Sequence, residues 1–260
     1  MRKFFVPVLV VIAVGLAFFS GTLWQKVKNL KKGISQGSGV TNPTPSQPVV
    51  TLDNIKETFD KAAIKFKGEN EKLIFIEISD PSCPYCNIAA GKNSKLNREA
   101  SSPQYDFRLA ADGGTYVAPI PEIKKLVETG QASYAIIYYP GHGNGELAMK
   151  ALYCAFDTGK YWPVHDLLMT AAGYDLINNT VQNDKAKTDL LVNFLKPAVD
   201  SKTLQSCLDS GKYEARLTED RELASSLGTR GTPNFYVNAT NFPGAASFKS
   251  MEAVVTSALK

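Results

Sequence analysis

Histidine occurs twice in these 260 residues, tryptophan twice and cysteine four times. With so few imidazoles and thiols, no complete zinc-binding signature forms, and the chain also lacks a Ser/His/Asp arrangement and a phosphate-cradling P-loop. Four cysteines spread over 260 residues do not make a small disulfide scaffold. Glycine and proline, at 19 and 14, are too ordinary for a collagen-like or low-complexity chain. No internal repeat is visible. What remains is 44% hydrophobic and 10% aromatic, enough to bury a sizeable core in one large domain or two small ones.

Excess positive charge is also missing from most of the chain. The 29 Lys and Arg exceed the 25 Asp and Glu, but six of the bases (Arg2, Lys3, Lys26, Lys28, Lys31 and Lys32) fall in residues 1–32, which contain no acid. The remaining 23 bases face all 25 acids, so the body carries a charge of −2. A nucleic-acid partner needs a basic face to neutralise phosphates, and that class is set aside.

The longest uncharged apolar stretch is FFVPVLVVIAVGLAFFSGTLWQ, residues 4–25. As a helix its 22 residues span about 33 Å, which matches a hydrocarbon core of about 30 Å. No A-x-A-like cleavage site follows the run, so it reads as an uncleaved anchor with the lipid bilayer as its partner. Pro7 falls near the start, where its missing N–H costs least, and Trp24 falls where an interfacial aromatic would. Four lysines after the span outweigh Arg2 and Lys3 before it, a weak bias against export. Long domains translocate largely regardless of such charge, so the orientation is inferred from the cysteine chemistry instead. Residues 33–50 are rich in Gly, Ser, Thr and Pro, carry no charge and read as a tether.

Beyond the tether, residues 52–66 space Leu52, Ile55, Phe59, Ala62 or Ala63 and Phe66 like one helical face. Residues 72–79 read as a buried strand, 133–139 as a second, 146–228 as mostly helical, 234–238 as a third strand, and the last fourteen residues as a helix. Parallel strands alternating with helices place the body in the α/β class.

The chemistry begins at Cys83-Pro84-Tyr85-Cys86, directly after the first strand and before a helical stretch. At a helix N-terminus, Cys83 meets unpaired N–H groups and the positive end of the dipole, which favour a thiolate. Cys86 falls one turn on, where its sulfur can attack a mixed disulfide formed at the first. A zinc half-site or a plain structural disulfide is the competing reading of a bare Cys-x-x-Cys. Zinc would want a second pair at similar spacing, and Cys154 and Cys207 are far apart in the chain.

Four segments, FIEISDPSCPYC (75–86), GHGNGELAMKALYCAFDTGKYWPVHDLLM (141–169), CLDSGKY (207–213) and LGTRGTPNFYVN (227–238), carry a resemblance across nearly all of residues 52–260. The chain resembles the thioredoxin superfamily and, within it, the DsbA-like thiol:disulfide oxidoreductases, including the membrane-tethered bacterial type. The resemblance implies a thioredoxin-like α/β fold in residues 51–260 with a helical domain inserted at about 141–226, preceded by an N-terminal transmembrane helix. It implies that Thr232-Pro233 is a cis-proline loop packed against the active-site cysteines, offering its backbone edge to an extended substrate together with Pro84 and Tyr85. Cys83 is then the nucleophile and Cys86 the resolving thiol. Glu77, six residues earlier in an otherwise apolar strand, would exchange protons with Cys86. A solvent-facing glutamate on an edge strand is the alternative.

Such relatives often carry cysteines at both remaining places, so the resemblance implies a structural disulfide between Cys154 and Cys207; two free buried cysteines is the alternative. A structural disulfide belongs in an oxidising compartment. His142 and His165 read as structural histidines. Residues 93–119 depart from the family pattern, which would more simply continue the active-site helix, and are expected to form an extra hairpin or loop beside the cysteines.

The implied activity is dithiol–disulfide exchange with reduced exported polypeptides. Its direction is oxidation, with no metal or cofactor beyond the two sulfurs, carried out by an extracytoplasmic domain on a single-pass anchor in the cell membrane and reset by a membrane redox partner. Reductase or isomerase activity, or a tethered peptide-binding holdase without catalysis, are the alternatives.

Overall fold

The computed structural model describes residues 49–69 and 72–260. The expected membrane span 4–25, the anchor segment 1–32 and the tether up to residue 48 lie outside the described residues. Among the described residues no helix is long and apolar enough to cross a membrane.

Five strands form one sheet: β1 (Ile64–Phe66), β2 (Ile74–Ser79), β3 (Ser133–Tyr138), β4 (Asn234–Val237) and β5 (Thr240–Pro243), in the order β1-β3-β2-β4-β5. Only the β2–β3 pair is parallel and the other three are antiparallel, so the sheet is mixed rather than built of parallel strands throughout. Central β2 is buried along its whole length. Its alternation separates two cores: Ile74, Ile76 and Ile78 face Ile55 and Phe59 of α1 (Leu52–Lys61), while Phe75 faces the larger core on the other side.

The helical reading of 52–66 is corrected at its end. Helix α1 begins on a reciprocal Thr51–Asn54 cap and stops at Ala62, whose backbone is extended. Ile64 and Phe66 instead pair with Ile136 and Tyr134 of β3. The cause is tertiary: an apolar spacing of seven from Phe59 to Phe66 suits a helix, but Phe66 buries its ring among Phe156, Tyr161 and Trp162, with centroids 5.3–5.4 Å apart. Strand β5 is additional to the three strands that the sequence pattern predicts. It follows a two-residue turn in which Asn238 takes φ +49° and uses both ends of its amide where the chain enters β2, accepting from Ile74 N–H and donating to C=O of Lys72 just before the strand, each at 2.9 Å.

On the larger-core side lie α2 (Pro84–Ala90), the short α3 (Ser94–Glu99) and α4 (Pro119–Glu128). Between β3 and β4 come α5 (Glu146–Asp157), α6 (Tyr161–Leu168), α7 (Ala171–Asp175), a π-helical turn (Leu176–Val181), α8 (Thr188–Leu195), α9 (Ser201–Asp209) and α10 (Glu214–Ser226). Leu152, Val164, Leu168, Leu191, Leu195 and Leu204 are fully or almost fully buried among them. The Cys154–Cys207 disulfide joins α5 to α9. Helix α10 is tied to the sheet by Asp220, whose buried carboxylate accepts from Tyr138 N–H at 2.9 Å and from the Tyr153 hydroxyl, and pairs with Arg216. The closing α11 (Phe248–Leu259) buries Met251 and Val255.

Candidate active site

Strand β2 ends at Ser79, and the four residues that follow turn the chain into α2. Cys83 is the N-cap of that helix and Pro84 occupies its first turn, where no N–H is needed. Cys83 N–H donates to Asp80 C=O at 2.9 Å, closing the turn. The thiol is only 4% exposed.

The Cys83 thiol is lowered to about 6, chiefly by a hydrogen bond from Cys86; burial opposes this, while Thr232 and the backbone amides of Cys86 and Tyr85 favour the thiolate. Those two amides belong to the free N-terminus of α2 and act at a distance, since Cys83 makes no side-chain cap hydrogen bond. Cys86 is moved the other way. Burial pushes its thiol well above 9, reinforced by Cys83 and by the charge of Glu77. One sulfur is thus prepared to be an anion and its neighbour to hold a proton.

The Thr232–Pro233 bond is cis. Its loop reaches the nucleophile directly, with Cys83 S–H donating to Thr232 C=O at 3.3 Å. The Thr232 hydroxyl is buried with no partner at hydrogen-bond geometry and favours the Cys83 thiolate from that side.

Glu77 sits mid-strand, opposite Ile136 of β3 and Phe235 of β4, and is buried. The edge-strand alternative therefore does not hold. Burial raises its carboxyl, and the Tyr134 hydroxyl, which donates to it, works in the opposite direction together with His165 and Ser79. His165 is buried, with Nδ1 3.2 Å from Asp166. His142 is exposed and contributes its backbone N–H to Asp80. Among the described residues no cluster of three His, Cys, Asp or Glu suits a metal ion.

Residues 93–119 form α3 and a loop closed by a Leu109–Tyr116 bridge. Phe107 of this loop meets Tyr85 of the Cys-Pro-Tyr-Cys segment edge-to-face at 5.8 Å, and Tyr105 stacks behind it at 6.2 Å. With Thr232 and residues 243–246 they line a groove of about 430 Å³ beside the thiols.

The structure brings Cys83, Cys86, Glu77, Pro84, Tyr85, Thr232 and Pro233 into one region, with the Cys154–Cys207 disulfide away in the helical layer. Sequence reasoning missed Asp80, Ser82 and Tyr134. For Tyr134 a signal existed: it alternates with Ile136 on the face of β3 turned toward Glu77. For Asp80 there is no such signal, since Ser-Asp-Pro-Ser is ordinary turn composition.

A family model described as Thioredoxin matches residues 120–257, a little over half of the chain. The chain belongs to that family. Its fold is the DsbA-like form of it, a thioredoxin sheet with a helical layer inserted between β3 and β4. The match starts after the paired cysteines and includes the insertion and the cis-proline loop. BdbD from Bacillus subtilis is 16% identical, with 81% of this chain and 95% of that one covered at a TM-score of 0.52. The thiol-disulfide exchange protein α-DsbA2 from Wolbachia pipientis is 18% identical, covering 79% and 94% at 0.53. Among curated relatives, Na(+)/H(+) antiporter NhaA 1 of Salinispora arenicola is 24% identical over 183 residues, which is 70% of this chain and 22% of the antiporter. The chain thus spans about a fifth of the length of the curated relatives it matches.

Proposed function

We propose that the protein is an extracytoplasmic thiol:disulfide oxidoreductase working as a dithiol oxidase on exported polypeptides. The observation that carries this reading is the asymmetry of the two thiols, Cys83 lowered to about 6 and Cys86 raised well above 9, with Cys83 held against the cis-proline loop.

In the oxidised form a substrate thiolate attacks Cys83 Sγ. The Cys83–Cys86 bond breaks, a mixed disulfide forms, and Cys86 leaves as a thiolate that takes a proton from Glu77. The substrate's second thiolate then attacks its own sulfur in the mixed disulfide, releasing Cys83 as a thiolate. The substrate dithiol has lost two electrons and the enzyme disulfide has gained them. Pro84, Tyr85, Thr232 and Pro233 hold the substrate, with Thr232 C=O available to an extended backbone. A membrane redox partner reoxidises the pair, and residues 4–25 anchor the domain in the cell membrane. Stabilising the Cys83 thiolate stabilises the reduced protein, which makes its disulfide the better oxidant.

The test is the Cys83–Cys86 equilibrium against glutathione, combined with oxidative refolding of a reduced test protein. The expected outcome is a potential well above that of thioredoxin, about −270 mV, and refolding that Cys83→Ser abolishes. A potential near the thioredoxin value points to a reductase, and full activity of Cys83→Ser rejects exchange altogether.

A further inference from the structure

Asp80 has no part in the exchange steps above, yet it is completely buried three residues before the nucleophile. Both of its oxygens are fully used. Oδ1 accepts from Ser82 N–H at 2.8 Å and from the Ser82 hydroxyl at 2.7 Å. Oδ2 accepts from the consecutive backbone N–H groups of Gly141 and His142 at 2.8 and 2.9 Å. Three of these four donors are backbone amides, which cannot reverse their role, so the site accepts a carboxylate and nothing with a donor of its own.

The turn held by Asp80 reaches both halves of the active site. On one side Asp80 N–H donates to Cys86 Sγ at 3.5 Å, and Asn144 N–H donates to the Ser82 hydroxyl at 3.2 Å. Asn178, delivered by the π-helical turn, donates to Ser82 C=O at 3.1 Å. On the other side Gly141 lies against the cis-proline loop, where a Cβ at Gly141 would stand 1.8 Å from the Thr232 hydroxyl oxygen. A Cβ at Gly145 would stand 1.8 Å from Asp80 Oδ1. Neither place takes a side chain unless its neighbour shifts.

We propose that Asp80 is a positioning residue whose carboxylate clasps the 141–145 turn between the cysteine loop and the cis-proline loop, fixing where Thr232 presents its carbonyl to a polypeptide bound at Cys83. The proposal rests on the exchange function argued above. It assigns the glycine-rich turn a task in recognising extended polypeptides, as distinct from small thiols, which need no backbone docking.

The experiment compares a reduced two-cysteine peptide with dithiothreitol as electron donors to the oxidised full-length protein, in wild type, Asp80→Asn and Gly141→Ala. An asparagine amide must turn its NH₂ toward either the Gly141 and His142 amides or Ser82 N–H, so one side of the clasp opens. Gly141→Ala leaves the carboxylate intact and pushes directly on Thr232. Both variants are expected to lose about tenfold more kcat/KM on the peptide than on dithiothreitol, since small misplacements are costly where alignment matters. Amide hydrogen exchange at Gly141 and His142, slow in wild type, should speed by at least about tenfold in Asp80→Asn. Equal losses on both donors in both variants overturn the proposal, as does unchanged exchange at the two amides. If Asp80→Asn fails to fold, Gly141→Ala carries the comparison alone. A wild type that accepts electrons from dithiothreitol but not from the peptide sinks the polypeptide reading, and the clasp is then judged by the exchange rates.

Discussion

Glu77 and Tyr134 meet across the parallel β2–β3 pair, two positions out of register: Glu77 lies opposite Ile136, and Tyr134 opposite Phe75. Side chains two apart on a strand share a face, so the Tyr134 hydroxyl points along the sheet at the carboxyl and donates to it. Behind Tyr134 stand Trp162, ring centroids 5.8 Å away, and then Tyr161 stacked on His165 at 5.6 Å, all from α6 of the insertion. A carboxyl in the middle of the sheet thus keeps a polar neighbourhood without contact with bulk water.

That neighbourhood yields the first prediction. Burial holds the Glu77 carboxyl above its ordinary value, so the native state binds its proton more tightly than the unfolded chain does. Stability must then fall as pH rises from the unfolded to the folded value, by about 1.4 kcal/mol for each pH unit between them. In Glu77→Gln the amide oxygen still accepts from Tyr134 and that slope disappears. The variant should match wild type in acid and exceed it in alkali, as chemical denaturation across pH will show. The proton for the departing Cys86 thiolate is lost with the acid, and formation of the mixed disulfide should slow by roughly 10²-fold. An unchanged rate removes Glu77 from the mechanism.

Reactivity of the reduced protein toward iodoacetamide should follow the Cys83 thiolate. With the thiol lowered to about 6, about nine-tenths of it is ionised at pH 7, against a few per cent for an ordinary cysteine. Mass spectrometry should find the label on Cys83 with a midpoint near pH 6, and Cys86, raised well above 9, should stay unmodified through neutral pH. The thermodynamic sign follows. A lowered acid stabilises the fold fully above its unfolded value and loses that contribution as pH falls through about 6. Cys86, raised, contributes the reverse and offsets part of it in alkali. The folding stability of the reduced form should therefore fall relative to that of the oxidised form on acidification through pH 6, as denaturation of the two forms across pH will show. A labelling midpoint above pH 8 would contradict the asymmetry.

Several of these features can be read from local pattern, because local physics determines them. Alternation in residues 74–79 puts Glu77 on the face of Phe75, away from Ile76 and Ile78, and the Pro-Tyr spacer sets Cys86 one turn from Cys83. The split at Ala62 was not readable in that way, because a helical spacing and a strand alternation coincide at Phe66 and only the aromatic cluster from α5 and α6 decides between them. Asp80 was hidden for a related reason. Its four donors come from Ser82 nearby and from Gly141 and His142 about sixty residues on, a pairing that exists only once β2 and β3 lie side by side. The 93–119 loop likewise acquires meaning from its contact with Tyr85.

The Cys154–Cys207 bridge encloses a long loop, its cysteines 53 residues apart in sequence. Chain-entropy reasoning gives about 4 kcal/mol for a loop of that length. Replacing both residues with alanine should lower unfolding stability by roughly that amount. The pH midpoint of Cys83 labelling should stay in place, since the bridge ties α5 to α9 and not the loops around the nucleophile. A shifted midpoint would mean that the helical layer transmits strain to the site.

The groove beside the thiols offers a final test, centred on Tyr105. Its ring is 67% exposed, stacked only on Phe107, while Tyr85 is 47% exposed next to Cys83. Large aromatic rings left in water along one groove suit an apolar side chain flanking a substrate cysteine. Removing an exposed ring costs the fold little, so Tyr105→Ala should leave thermal stability and dithiothreitol oxidation unchanged. For peptides carrying an aromatic residue beside the cysteine, a lost ring contact of about 1 kcal/mol should raise KM roughly fivefold. For glycine-flanked peptides KM should barely move. If both peptide classes respond alike, the loop does not read side chains, and the Thr232 backbone is left as the determinant of which polypeptides are bound.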